Sequence, residues 1–72
     1  MKRLDAARLA RLGRLVCGPL WQSELARTMG VSRQTVLRWT AGELAPSPEY
    51  TAKAKDLVRE RIEELQRLLK EL

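Results

Sequence analysis

Apolar residues recur along this chain with gaps of three and four, the period of helices, and four stretches carry the pattern. The first lies near residues 5 to 17. Leu9, Leu12 and Val16 make its inward stripe, with Ala6 and Leu15 at the edges. Asp5 suits the cap position and leaves Met1 to Leu4 as a short basic arm; a start one turn earlier fits the pattern as well. Gly18 and Pro19 then break the chain. Leu25, Ala26 and Met29 give a second helix its apolar face, and Leu20 and Leu25 are spaced to staple its start. Gly30 follows, where the backbone must leave the helix and glycine tolerates positive φ. Ser32 caps a third helix, expected over residues 32–41, with Val36 and Trp39 inward and Gly42 at its end. Val31 and Val36 occupy the two positions of a hydrophobic staple around that cap.

After a short linker, Glu43 to Pro46, Ser47 caps a fourth helix, Pro48 fits its first position, and Glu49 complements its dipole. Nothing breaks the helix from there to Leu72, a length of roughly 37 Å at 1.5 Å per residue. Tyr50, Ala54 and Leu57 are placed to pack on the preceding helices. Val58, Ile62, Leu65, Leu69 and Leu72 then repeat with gaps of 4, 3, 4 and 3. This is an a/d seam of about two heptads. Leu68 widens it, and Glu60, Arg61, Glu64, Arg67 and Glu71 flank it. The earlier helices are too short to cover both ends of so long a helix. The pattern therefore predicts that two copies pair along the seam, against the alternative that it folds back on its own domain. The expected fold is an all-α helix-turn-helix bundle of about four helices with a long C-terminal helix. Residues 1–46 form the helix-turn-helix region and 47–72 the packing and dimerisation helix, within one compact domain.

Charge changes the picture. The net +5 divides unevenly: residues 1–42 hold eight basic groups against two acids, a net +6, and residues 43–72 hold six against seven, a net −1. A positive field concentrated on the helix-turn-helix suits a phosphate-bearing partner. The outward face of the third helix carries Arg33, Gln34, Leu37 and Arg38. Arg33 can pair with a guanine edge and Gln34 with adenine; Arg38, one turn on from Gln34, shares that face, and Leu37 can touch a thymine methyl. Ser32 and Thr35 hydroxyls suit phosphate oxygens. Arg11 and Arg14, with Arg3, form a further basic group open to either solvent or phosphate, and Arg27 is equally open. Trp39 is read as core, with an indole N–H able to reach a phosphate.

Other chemistries find little support. The chain has one cysteine and no histidine, which excludes a disulfide framework and a Cys/His zinc site within one copy. Cys17 reads as a small buried hydrophobe. No paired-carboxylate pocket or glycine-rich phosphate loop appears, so an enzyme is not expected, nor a cofactor or a small-molecule ligand. Arginine interrupts every apolar stretch of the first residues, so a signal peptide is not expected, and no run is long enough for a membrane span.

Residues 20–42, LWQSELARTMGVSRQTVLRWTAG, resemble the lambda-repressor-like, or XRE-type, helix-turn-helix proteins of phages and bacteria. The likeness lies in Gln22, Leu25-Ala26, Met29, Gly30-Val31-Ser32, Trp39 and Gly42, about a third of the chain. Small phage and prophage regulators, anti-CRISPR-associated repressors among them, are similar in size and layout. The sequence departs from the family at Trp21, where a Ser or Thr cap is common; Trp cannot accept a backbone N–H. The resemblance implies that Gln22 anchors a phosphate. Taken with the seam and with the lack of an export signal or membrane span, it leads to the expectation of a cytoplasmic regulator of transcription, a repressor, that binds double-stranded DNA as a homodimer on an inverted-repeat operator. The alternative is an antitoxin or adaptor that uses the long helix to bind another protein. A phage packaging or recombination accessory would share the same DNA chemistry.

Overall fold

Leu9, Leu25, Met29 and Val36 come from three helices and are fully buried together. The computed structural model describes residues 4–72. Met1, Lys2 and Arg3 lie outside the described residues, and with them most of the expected basic arm and one member of the Arg3, Arg11 and Arg14 group. The elements are α1 (Ala6–Cys17), α2 (Trp21–Met29), α3 (Arg33–Thr40) and α4 (Pro48–Glu71), an all-α bundle with a long last helix.

Local chemistry sets most of the boundaries. Asp5 Oδ1 accepts from the Arg8 N–H at 2.8 Å, so α1 starts at Ala6 and not a turn earlier. Leu4 is half-buried against the core instead of belonging to a free arm. Gly30 sits in the left-handed region at φ 72°, and the Val31 N–H returns to the Ala26 carbonyl at 3.0 Å. Ser32 and Ser47 cap α3 and α4 through the Thr35 and Tyr50 N–H groups.

The core joins Leu9, Trp21, Leu25, Ala26, Met29, Val36, Trp39 and Ala54. Trp21 packs against α1 at Gly13. A Cβ there would come within 2.6 Å of Trp21 Cδ2, so the close crossing of α1 and α2 needs a glycine in mid-helix. The start of α4 is held by Tyr50, whose ring meets Trp39 at a centroid distance of 5.4 Å. Further along, Arg61 donates to the Val16 carbonyl at 2.6 Å. That carbonyl is in the last turn of α1, where the helix dipole favours a cation.

Three expectations need correction. Leu15 is 74% exposed and stands outside the core stripe, because α1 turns that position towards solvent. Leu20 is the cap residue of α2 and is 80% exposed, so it makes no staple with buried Leu25; α2 starts without a side-chain cap. Cys17 is half-buried at the edge of the core rather than buried within it. The distal part of α4 does not fold back. Ile62, Leu65, Leu68, Leu69 and Leu72 are all exposed, and α4 gives the protein its longest dimension, 42 Å.

Candidate nucleic-acid interface

Helix α3 is eight residues long, so its two faces can be assigned from the helical period. Val36 and Trp39 are buried, and Arg33, Gln34, Leu37 and Arg38 are exposed on the opposite side. At 100° per residue these four cover an arc of about 140°. The structure thus brings the four expected base-reading side chains onto one continuous face, supported from behind by the core.

The ion pairs of the described residues leave the arginines of that face open, as they also leave Arg11, Arg14 and Arg67. Arg8, Arg27, Arg59 and Arg61 pair with Asp5, Glu24, Asp56 and Glu64. Among the described residues no carboxylate pairs with Arg33 or Arg38. Arg27, open on sequence grounds, is bonded to Glu24 at 3.1 Å and is therefore partly neutralised. Sequence patterning alone does not distinguish these arginines, although the Glu24–Arg27 spacing was a readable signal.

At the start of α3, the Ser32 hydroxyl accepts from the Thr35 N–H at 3.1 Å, and the two hydroxyl oxygens lie 2.9 Å apart. One hydroxyl proton serves their mutual bond, which leaves one to donate outward. The Arg33 and Gln34 N–H groups lie in the first turn and have no intrahelical acceptor. Gln22 occupies the first turn of α2 and is half-buried, next to a helix start that no side chain caps. Gln22 and the Ser32–Thr35 pair therefore stand at two separate helix starts, both offering donors to an anion.

Arg11 and Arg14 are exposed on α1. Trp39 is buried beneath α3, as expected for core. The described residues contain no group of acids, cysteine or histidine able to hold a metal ion, and no helix of theirs is long and apolar enough to cross a membrane.

Residues 21–53 match the family described as Helix-turn-helix. The match runs from the first residue of α2 through α3 and into the first two turns of α4. No curated protein and no solved structure matches the chain. The glycine turn, the Ser32 cap, the buried Val36 and Trp39 and the family match agree, and residues 21–53 are a DNA-binding helix-turn-helix of the lambda-repressor-like, XRE type found in transcription regulators.

Proposed function

We propose that this protein is a cytoplasmic repressor that binds double-stranded DNA sequence-specifically, as a homodimer on an inverted repeat. Arg33, Gln34, Leu37 and Arg38 read base edges in the major groove. Gln22, Ser32 and Thr35 hold phosphates and set the register. The observation that carries this reading is the exposed α3 face, with Arg33, Gln34, Leu37 and Arg38 on one arc and, among the described residues, no acid paired with either arginine. Repression follows from occupying a promoter and requires no effector pocket, cofactor or enzymatic step. Val58, Ile62, Leu65, Leu69 and Leu72 form the dimer seam; the exposure of the distal four supports it.

Selection of bound sequences from a random duplex pool, followed by titration of the winner against a scrambled duplex, tests the proposal. A symmetric motif and clear preference are expected. Equal, weak binding to both duplexes would refute it. That outcome would favour the second reading, in which the uncovered stripe of α4 binds another protein, as in an antitoxin or adaptor.

A further inference from the structure

The apolar stripe of α4 does not end where the domain begins. A groove of about 360 Å³ runs between α1 and α4, with Leu4 and Leu12 on one wall and Val58 on the other. Arg8, Lys55 and Arg59 stand along it. Leu15, 74% exposed, is one α1 turn beyond Leu12 on the same face of the helix, past the end of the groove. Val58 is also the first member of the stripe that continues through Ile62, Leu65 and Leu69. The groove and the stripe are therefore one continuous apolar surface.

Helix α4 is held to its own domain by one edge. Tyr50, Ala54, Leu57 and Arg61 face the core or α1. The stripe lies about 80° further round the helix, at 100° per residue. Helix α1 runs in the same direction as α4: Leu4, Arg8 and Leu12 line the groove with residues between 51 and 59, and Val16 meets Arg61. A second helix entering from the open side would lie along α4 and touch α1 as well.

We infer that the occupant is the distal half of α4 from a second copy, running antiparallel, with each copy filling the α1–α4 groove of the other. This rests on the homodimer reading above and specifies its geometry. A parallel pair would cover the two distal stripes but leave both grooves open. The antiparallel pair covers both. Its a-to-d register sets Ile62 against Leu65 of the second copy and Val58 against Leu69 of the second copy. Leu72 of the second copy then lies over the groove beside Lys55. Charge supports the same sense. The flank of the incoming helix that passes over α1 carries Glu64, Leu68 and Glu71. Leu68 reaches the level of Leu12, and Glu71 reaches the level of Arg8, on a groove bordered by Lys55 and by Arg8 and Arg59, which also pair with Asp5 and Asp56 of their own chain.

Cross-linking decides the matter. Two chains are made in a Cys17→Ser background, one with Val58→Cys and the other, carrying a size tag, with Leu69→Cys. Circular dichroism first establishes that both are folded, and sedimentation gives the oligomeric state of the wild type. Under oxidising conditions a mixed disulfide is expected only when the two chains are combined, because a disulfide needs the two positions side by side. Disulfides within each chain type alone would show a parallel pair and overturn the groove seating while leaving the dimer intact. A wild-type dimer with no cross-link in any sample would overturn the seam. A monomeric wild type would overturn the dimer reading itself. As a second arm, Arg8→Glu should raise the dimer dissociation constant about fivefold through two symmetric contacts. Glu71→Arg in the same chain should restore it. An unchanged constant in Arg8→Glu would refute the contact between the groove and the second helix.

Discussion

Gly13 is the residue on which the crossing of α1 and α2 depends. Alanine there would add helix propensity worth about 1 kcal/mol. It would also displace the Trp21 ring from its seat, since the new methyl falls within 2.6 Å of Cδ2. Overpacking of this kind costs about 1–3 kcal/mol. Gly13→Ala should therefore destabilise the fold despite the better helix former, as a lower urea midpoint. On the α3 face, Arg33→Ala, Gln34→Ala and Arg38→Ala should each cost about 1–3 kcal/mol on the best operator and relax preference at particular base pairs. Gln22→Ala and Thr35→Ala should weaken binding more evenly across sequences. Full selectivity in folded Arg33, Gln34 and Arg38 variants would mean that this face is not the reader. Cys17 gives a pH prediction. Burial foremost, and then the Glu24 carboxylate, push its thiol up, against the opposing Arg61 guanidinium. Folding therefore favours the protonated thiol. That stability is complete below the unfolded pKa and is lost as pH rises through the higher folded value. Alkylation by iodoacetamide at about pH 8, near the free thiol pKa, should be slower in the native protein than in urea.

At the scale of elements, the sequence is most legible where the chemistry is local. Asp5, Ser32 and Ser47 mark three helix starts because a cap needs only a side chain three residues before its N–H. Gly30 marks the turn because its φ excludes most other residues. The α3 face was readable for the same reason, since a single helix fixes which residues share it. What stayed hidden depends on pairs distant in the chain. Nothing around Gly13 announces Trp21, and nothing around Arg61 announces a carbonyl 45 residues earlier. Leu15 and Leu20 look like core by type, yet Leu15 lies on the solvent side of α1 and Leu20 is the exposed cap residue of α2. The Arg61 bond is an element-level clamp that joins the middle of α4 to the end of α1. Arg61→Ala should lower stability by about 1 kcal/mol, discounted for an exposed guanidinium. Chemical denaturation of Arg61→Ala beside Arg61→Lys measures it; equal stability of wild type and both variants would show that the clamp is thermodynamically silent.

For the whole molecule, the division of charge sets how binding responds to salt. The helix-turn-helix half is basic and the α4 half is nearly balanced. Each neutralised phosphate adds a slope of about −0.9 to log K against log salt. Operator titrations at several salt concentrations should fall steeply, and Gln22→Ala should leave the slope almost unchanged because it is neutral. The antiparallel pairing also offsets the two domains by about 28 Å along the α4 axis, at 1.5 Å per residue. That is near the roughly 34 Å of one DNA turn, so half-site centres about one turn apart are expected in the selected operator. Leu65→Asp should break the dimer and sharply reduce operator affinity, because the second half-site loses its effective concentration. Sedimentation and operator titration of that variant check it; a dimer of unchanged affinity would move the interface elsewhere.

Both tryptophans are buried, one at the start of α2 and the other beneath α3, while the second half of α4 has no aromatic residue. Indole emission is therefore a reporter for the core alone, and far-ultraviolet ellipticity counts the distal turns of α4 as well. In an isolated chain those turns have little to hold them, so ellipticity should decline before the emission shifts. In a dimer that clamps them, the two optical signals should change together and at a midpoint that rises with protein concentration.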